Sequence, residues 1–394
     1  MKVFEINSVC GIRSTGRICT DIADSLINEG HECIIAYGRE DIPERYKIIS
    51  HKIGDDFDVK VHGAISRLFD ASGFGSRNST RRLIEFIKKY DPDVIHLHNI
   101  HGYYLNIEIL FDYLKTSNKR VIWTMHDCWA LTGHCTNFSS VGCEKWRVGC
   151  EKCVQKKRYP SSLFLDNSKR NYIKKKSIFQ NVPNLTVVTP SEWLADIVKQ
   201  SFLKEYPVYV INNGIDTDTF KPCESNFRER FDLKNKFVIL GVSSTWDRLK
   251  GFDDFLKLAK IITSDYRIVL IGLNEKQIAN LPNNIVGIAR TNSTLELAQI
   301  YSSADVFVNF TYEDNYPTVN LEAQACGIPA LTYNTGGSVE SVPERNIIPA
   351  GDIEGAFEKI KNGDYDGNLR PGINLDKKSF TEQYIGLYLN TIDR

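Results

Sequence analysis

The sequence has no apolar run that approaches the length of a transmembrane helix. It also has no net charge, because 49 lysine and arginine residues balance 49 aspartate and glutamate residues. This balance gives no indication of nucleic-acid binding or of a general affinity for membranes. The first residues, Met1-Lys-Val-Phe-Glu-Ile-Asn7, place an acid inside a short apolar run, which is typical of a first strand and not of a signal peptide. We therefore expect a cytoplasmic protein.

Two nucleotide-binding signatures are incomplete in the loop Gly11-Ile-Arg-Ser-Thr-Gly16-Arg17. The loop lacks the G-x-G-x-x-G pattern of dinucleotide-binding folds. Its two glycines have the spacing of a P-loop, but Arg17 replaces the lysine and Ile18 replaces the residue that binds Mg²⁺, which excludes ATPase chemistry of that type. A glycine loop that opens a helix still lets a phosphate or sugar approach its backbone. The alternative is a simple tight turn.

Strand-like and helix-like runs alternate along the chain in two series. The 394 residues exceed one ordinary core, so we expect two domains. The alternation predicts an α/β fold of two Rossmann-like, doubly wound parallel sheets that face a cleft. We assign 1–205 to an acceptor-binding domain with a cysteine-rich insertion at 128–159, and 206–375 to a nucleotide-sugar domain. The remaining residues, 376–394, form a helical tail that can pack back on the first domain.

One stretch organises the second predicted domain: Glu313-Asp-Asn-Tyr-Pro-Thr-Val-Asn-Leu-Glu322. It follows a short apolar strand, and Pro317 is tolerated in the first turn of a helix. Asp314 and Glu322 therefore flank a helix start whose free backbone N–H groups suit an anion. Carboxylates bind hydroxyls and a helix start binds phosphate. A nucleotide sugar has both groups.

Two cations, Arg248 and Lys250, lie between a predicted strand at 237–242 and a helix at 252–262. Cations at that position can neutralise a diphosphate and help it depart. The alternative is a surface turn. Because this loop and the stretch from Asp314 to Glu322 fall at the same end of one sheet, we favour a shared site.

The pair His126-Asp127 ends a predicted strand at 121–125 and suits proton transfer or hydroxyl binding. His96, His98 and His101 end a neighbouring strand. For these three we favour structural, hydrogen-bonded histidines, and for His126 a functional one.

Four of the ten cysteines are close in sequence: Cys135, Cys143, Cys150 and Cys153. His134 precedes the first of them. A Cys-x-x-Cys pair with two further cysteines predicts a structural zinc site in a turn-rich segment. The alternative is unligated thiols in a reducing compartment. We assign the cluster no catalytic role.

The region from Lys145 to Lys176 is basic, with 11 lysine and arginine residues against Glu151 and Asp166. Such a region can attract an anionic membrane surface or a lipid diphosphate. A solvated helix face explains it equally well.

Together these motifs resemble family 4 glycosyltransferases, a retaining class with the two-domain GT-B fold, and the resemblance runs over nearly the whole chain. The segment around Trp129, His134, Trp146 and Gly149 is similar to bacterial members that build surface polysaccharides. The most specific residues are Asp314-x7-Glu322 with Ala323-x-Ala-Cys-Gly-Ile-Pro329, Gly336-Gly337, Asn213-Gly-Ile-Asp216, Lys250-Gly251 and His126-Asp127.

The resemblance implies a role for each site residue. Asp314 matches the first acid of an E-x7-E motif, which faces the donor sugar, and Glu322 matches the second, which holds the ribose. Arg248 and Lys250 would bind the diphosphate, and His126 would contact the transferred sugar near the reacting carbon. Further donor-binding residues are then Gly11, Gly16 and Arg17 in the first loop, and Glu313, Asn315, Tyr316, Pro317 and Thr318 at the helix start.

The sequence departs from the family pattern at three positions. The first acid is usually glutamate, whereas here Asp314 has the spacing and Glu313 has the residue type. Thr245 stands where the family often has an arginine, five residues before the lysine. Pro317 stands where many members have glycine.

The resemblance implies retaining transfer of a hexose from a UDP- or GDP-sugar to a glycan or lipid-diphosphate-linked acceptor, in the synthesis of O-antigen, capsule or exopolysaccharide. No dedicated protein base is evident, and no divalent metal is required. We expect peripheral association with the cytoplasmic face of the inner membrane, and no nucleic-acid partner. Two alternatives remain: a GT-B nucleotide-sugar epimerase, and a non-catalytic sugar- or lipid-binding protein.

Overall fold

The computed structural model describes residues 1–367, 369–370 and 372–390, so the last four residues of the predicted tail lie outside the described residues. The chain divides into two compact units. The first contains Met1–Asn212 together with the described residues from Phe380 onward, and the second is Asn213–Ser379.

The first unit is built on a parallel sheet of seven strands in the order β3-β2-β1-β4-β5-β6-β7. The strands are β1 (Lys2–Asn7), β2 (Glu32–Tyr37), β3 (Ser50–Lys52), β4 (Val94–Leu97), β5 (Arg120–Thr124), β6 (Leu185–Thr189) and β7 (Val208–Val210). The connecting helices are α1 (Arg13–Asn28), α2 (Asp56–Phe69), α3 (Arg77–Tyr90), α4 (Ile107–Ser117), α5 (Ser168–Phe179) and α6 (Glu192–Lys199).

The second unit repeats this plan with six parallel strands in the order β10-β9-β8-β11-β12-β13. The strands are β8 (Phe237–Val242), β9 (Tyr266–Ile271), β10 (Ile285–Ile288), β11 (Val306–Asn309), β12 (Ala330–Tyr333) and β13 (Ile347–Ile348). The helices are α7 (Phe227–Arg230), α8 (Phe252–Ile261), α9 (Glu275–Ala279), α10 (Thr294–Ser302), α11 (Thr318–Ala325) and α12 (Ile353–Asn362).

Both sheets confirm the predicted fold class. Every residue of β4, β6, β11 and β12 is buried. A strand that is covered on both faces reads as a continuous apolar run, and this is why these strands are visible in the sequence. In each sheet the strand order reverses once, between β1 and β4 and between β8 and β11, and ligands of such sheets bind beyond the carboxyl ends of the strands at that point.

The chain returns to the first unit through its last helix, α13 (Lys377–Asn390). Tyr384 and Tyr388 are fully buried there. The Tyr388 hydroxyl lies 2.6 Å from Nδ1 of His96, and the Tyr384 hydroxyl lies 2.9 Å from Oγ1 of Thr124. The first unit also extends beyond the expected boundary at 205, because β7 pairs in parallel with β6.

Candidate active site

The predicted donor-binding residues of the second unit lie where its strand order reverses. Arg248 and Lys250 form a short 3₁₀ turn after β8, and Asp314 follows β11. Since β8 and β11 are hydrogen-bonded neighbours, their following loops emerge at one edge of the sheet. The structure thus brings together two motifs that are separated by more than sixty residues in sequence.

The loop that carries the two cations is held by its own side chains. The Asp247 carboxylate accepts hydrogen bonds from the backbone N–H groups of Leu249 and Lys250, both at 2.9 Å. Gly251 then has φ +76°, and a Cβ at this position would lie 2.4 Å from the Phe310 carbonyl oxygen. The turn is therefore specific for glycine, and this close approach fixes the cation loop against the chain that follows β11.

An ion pair links the cation loop to the first acid. Lys250 Nζ lies 2.7 Å from Oδ2 of Asp314, with the two side chains 37% and 22% exposed. The same amine lies 3.4 Å from the backbone oxygen of Glu313. Asp314 is therefore the acid whose carboxylate pairs with the lysine. Arg248 is exposed and forms no ion pair with any residue that the structure describes.

The second acid lies on α11, which begins at Thr318 directly after Pro317, as the sequence predicts. Glu322 is buried, and its Oε2 accepts a hydrogen bond from the Tyr301 hydroxyl at 3.1 Å. Tyr301 on α10 is a residue that sequence reasoning missed, because it carries no motif and lies in an ordinary amphipathic helix.

The residues between the two acids are mostly buried. Asn315 and Tyr316 are 8% and 4% exposed, and burial raises the pKa of the Tyr316 hydroxyl. The carbonyl of Tyr316 accepts a hydrogen bond from the Asn213 side chain at 3.2 Å. This contact explains structurally why the Asn213-Gly-Ile-Asp216 motif accompanies the acidic motif.

The glycine pair after β12 supports the main chain of Asp314. The N–H of Gly337 donates to the Asp314 carbonyl at 3.1 Å. Gly336 has φ +53°, and a Cβ there would lie 2.2 Å from the same oxygen. Only glycine permits this contact, so Gly336 positions the acid that pairs with Lys250. The pair Gly336-Gly337 can be seen in the sequence, but its contact with the Asp314 carbonyl cannot.

In the first unit, the glycine loop follows β1. Gly11 has φ +70° and its N–H donates to the Gly16 carbonyl at 3.0 Å. The helix α1 begins at Arg13, so Gly16 and Arg17, which were predicted to lie in the loop, are in the helix. A Cβ at Gly16 would lie 3.3 Å from the Val9 carbonyl, so the absence of a side chain lets the helix begin this close to the strand. Arg17 is exposed.

His126 and Asp127 each contact a histidine that follows β4. His126 Nε2 lies 3.0 Å from His98 Nδ1, and Asp127 Oδ2 lies 2.6 Å from His101 Nε2. Burial lowers the pKa of His126 to about 4, so this imidazole is neutral at physiological pH. For Asp127, burial acts to raise the pKa, but His101 and the Trp129 N–H outweigh it and lower the pKa. The histidines at the end of β4 thus contact the His126-Asp127 motif.

Glu5, His96 and His98 form a buried group in the first unit. Their nearest ligand atoms all lie within 4.8 Å of one another, and burial raises the pKa of Glu5 well above its ordinary value. Both ring nitrogens of His96 are already bonded, to the hydroxyls of Thr124 and Tyr388. The group fits a neutral carboxyl among structural histidines better than a metal site.

The four clustered cysteines line one pocket. The basic region from Lys145 to Lys176 is not one solvated face, because Lys175 on α5 is 1% exposed and donates to the carbonyls of Trp129 and Thr132. Burial lowers the pKa of Lys175 to about 7.

Within the part of the chain that the structure describes, no helix has both the length and the apolar character needed to cross a bilayer.

Two Rossmann-like units, each with a doubly wound parallel sheet, are the GT-B architecture, and solved structures agree with this fold. Sucrose-phosphate synthase from Thermosynechococcus elongatus matches with TM-score 0.69 and 16% identity over 100% of this chain and 99% of its own. Anabaena Alr3699/HepE in complex with UDP-glucose matches with TM-score 0.66 and 13% identity over 99% and 100%.

The family follows from the sequence comparison. The model of Glycosyltransferase Family 4 matches residues 15–219, and that of Glycosyl transferases group 1 matches residues 224–362. The chain belongs to glycosyltransferase family 4. It is 27% identical to the putative colanic acid biosynthesis glycosyl transferase WcaC of Escherichia coli K12 over 70% of this chain and 68% of that protein. The chain spans about half the length of the next curated relatives.

Proposed function

We propose that this protein is a retaining hexosyltransferase that transfers a hexose from a UDP- or GDP-sugar to a glycan or lipid-diphosphate-linked acceptor in the synthesis of a surface polysaccharide. The observation that carries the proposal is the ion pair of Lys250 with Asp314 beyond β8 and β11. The similarity to a putative colanic acid glycosyl transferase supports the biosynthetic setting, and the UDP-glucose complex of a GT-B neighbour supports the donor class.

In this proposal the second unit holds the donor. Arg248 is exposed and Lys250 is held at the sheet edge, so both can meet the two phosphates. Asp314 keeps the Lys250 amine in place and faces the sugar hydroxyls. Glu322, buried and oriented by Tyr301, binds the ribose hydroxyls. In the first unit, the neutral His126 can act as a hydrogen-bonding group and not as a cation.

The chemistry balances without a dedicated protein base. The bond between the anomeric carbon and the β-phosphate oxygen breaks, and the acceptor oxygen bonds to that carbon on the same face. The acceptor proton passes to the departing diphosphate. Arg248 and Lys250 stabilise the negative charge that develops on the leaving group, and they do so without a divalent metal.

A ligand screen followed by a turnover assay tests the function. Thermal denaturation is measured with UDP, GDP, UDP-glucose and GDP-mannose, because a ligand at 100 times its Kd stabilises the folded state by about 2.7 kcal/mol. Nucleotide release is then measured with the stabilising sugar nucleotide, with and without a lipid-linked acceptor. Acceptor-dependent release supports the proposal. Isomerised donor without acceptor indicates an epimerase, and stabilisation without turnover under either condition indicates a binding protein.

We further propose that the first unit binds an anionic membrane surface through α2. This helix exposes an apolar stripe at helical spacing, with Phe57 74% exposed. The stripe is Phe57, Val61, Ile65, Leu68 and Phe69. The stripe continues onto a neighbouring loop that contains Phe164, whose side chain is 70% exposed. This loop lies next to α2 because the N–H of Leu163 donates to the Arg67 carbonyl. Basic residues lie at the same surface, with the amine of Lys156 donating to the Phe164 carbonyl. Apolar side chains among cations suit an anionic bilayer.

Replacing Phe57 and Phe164 together by serine should weaken binding to phosphatidylglycerol vesicles by at least about tenfold, because each buried aromatic ring contributes roughly 1.5–3 kcal/mol. Cosedimentation measures the bound fraction. The control is Tyr209→Ser, which removes a half-exposed ring from β7 at the edge of the sheet. Equal binding of the double variant and the unmodified protein contradicts the proposed surface, as does equal binding to phosphatidylcholine vesicles.

A further inference from the structure

The segment between β5 and α5 is long, and its folding needs an explanation. Among the described residues 125–167, regular structure is confined to three short 3₁₀ turns. These turns are Trp129–Leu131, Ser139–Val141 and Lys145–Arg147. Loops of this length without helices or strands are uncommon unless something holds them. Yet Trp129 and Trp146 are buried, at 1% and 2% exposure, so the segment has a defined core of its own.

The four thiols of this segment form one connected group. Cys135, Cys143, Cys150 and Cys153 all line a single pocket, and all are free thiols. Cys135 and Cys153 are near enough to interact with each other, and Cys150 lies within electrostatic reach of both Cys143 and Cys153. Residues from separate turns of the segment therefore line one pocket.

Backbone groups lie close to two of these sulfurs. Gly133 is near Cys150, and Gln155 is near Cys153. Hydrogen bonds to the sulfurs are the outer-shell contacts that orient thiolate ligands and tune a metal. Only glycine fits at position 133, since a Cβ there would lie 2.0 Å from the Ser168 carbonyl oxygen and 3.0 Å from Cys150 Cβ.

A buried cation lies beside the group. The Lys175 amine donates to the carbonyls of Trp129 and Thr132, at 2.8 and 3.1 Å, and lies within electrostatic reach of Cys150 and Cys135. Four thiolates around a divalent metal leave a net charge of −2. A buried ammonium is expensive without nearby negative charge. Asp70 and Asp127 supply part of that charge, and a metal–thiolate cluster would add to it.

We propose that Cys135, Cys143, Cys150 and Cys153 bind one zinc ion as a structural, tetrahedral site. Zinc with four thiolates places the sulfurs about 3.8 Å apart, given Zn–S distances near 2.3 Å. Among the described residues the ligand atoms that already lie within 4.8 Å of one another belong to Glu5, His96 and His98. The cysteine sulfurs therefore draw closer when the metal binds. The site links the turn-rich segment to α5, which covers it through Ser168 and Lys175.

His134 is the alternative to Cys143 as the fourth zinc ligand. It lines the same pocket, its Nδ1 lies 2.5 Å from Oδ1 of Asp70, and its Nε2 has no hydrogen-bond partner among the described residues. A metal-bound histidine often has such a carboxylate partner. We assign the fourth position to Cys143 because it brings the site to the four-thiolate composition that is common for structural zinc.

Metal analysis of the full chain, purified from zinc-supplemented culture, tests the site. We expect one zinc per chain, released when a thiol-specific mercurial is added and detected with a chromogenic chelator. Cys150→Ser and Cys153→Ser should each lose at least about 90% of the metal, since structural zinc sites depend on every ligand. Cys223→Ser, which removes a half-buried thiol from the second unit, should retain it.

Two results overturn the proposal. The first is an unmodified chain without zinc whose four thiols react freely with Ellman's reagent in the folded state. The second is a Cys143→Ser variant that keeps its zinc while His134→Asn loses it, which would make the site a three-cysteine, one-histidine site. Where a serine variant does not fold, cobalt substitution of the unmodified chain decides, because tetrahedral thiolate coordination gives Co²⁺ an intense visible spectrum. A cobalt-substituted chain without this spectrum also contradicts the proposal.

Discussion

Lys250→Ala should slow sugar transfer at saturating donor by about 100-fold or more. The lysine amine lies at the sheet edge where we propose that the diphosphate binds, and its positive charge stabilises the leaving group most strongly in the transition state. An interaction of that kind lowers kcat and kcat/KM together when it is removed. The variant also leaves Asp314 without the cation that lies 2.7 Å from its carboxylate. Steady-state nucleotide release measures the change.

Two further variants make this measurement specific. Lys276→Ala removes an exposed lysine from α9 in the same unit and should leave turnover unchanged. Lys250→Arg keeps the charge and should recover part of the lost rate. Near-normal turnover of Lys250→Ala contradicts the proposed role directly. If Lys276→Ala slows the reaction equally, the effect is a general loss of charge or stability and not a contact with the leaving group.

Glu322→Gln should weaken nucleotide binding by roughly 10- to 100-fold, because a hydrogen bond to a charged group contributes about 1.5–3 kcal/mol. Glu322 is buried, and its carboxylate accepts a hydrogen bond from the Tyr301 hydroxyl. Glutamine keeps the shape but loses the charge. Calorimetric titration with UDP and with GDP measures the Kd. An increase in KM with little change in kcat is expected if the ribose contact is the same in substrate and transition state.

Tyr301→Phe is the matched control for Glu322. It removes only the hydroxyl that lies 3.1 Å from Oε2, so the carboxylate keeps its charge but loses one orienting bond. We expect a loss in affinity below about tenfold, which corresponds to one neutral hydrogen bond of about 1 kcal/mol. Unchanged affinity of a folded Glu322→Gln variant for both nucleotides contradicts the ribose role.

The fold was predictable from sequence because most central strands are buried on both faces. The strand expected at 237–242 matches β8 residue for residue, and the helix expected at 252–262 matches α8 within one residue. The short edge strands β3, β10 and β13 were not predicted. They contain two to four residues, and pairing on one side only leaves them little apolar pattern to detect.

The second-unit site was predictable as a set of residues but not as a set of contacts. Sequence spacing identifies Asp314 and Lys250, whereas their pairing depends on the adjacency of β8 and β11. The partners of His126 and Asp127 illustrate the same limit. His98 and His101 follow β4, and they meet the two residues that follow β5 only because these strands are neighbours in the sheet. Pairing across strands is a tertiary property that no local pattern encodes.

The return of α13 to the first unit has a consequence for synthesis on the ribosome. The rings of Tyr384 and Tyr388 complete the core around His96 and Thr124, but they are translated after the whole of the second unit. At 5–20 residues per second, the nascent first unit waits several seconds or more for its last helix. The second unit is synthesised during that interval, since its last residue, Ser379, directly precedes Phe380. The first unit therefore cannot complete its core until the whole second unit has been made, and its apolar surface around His96 and Thr124 stays uncovered until then.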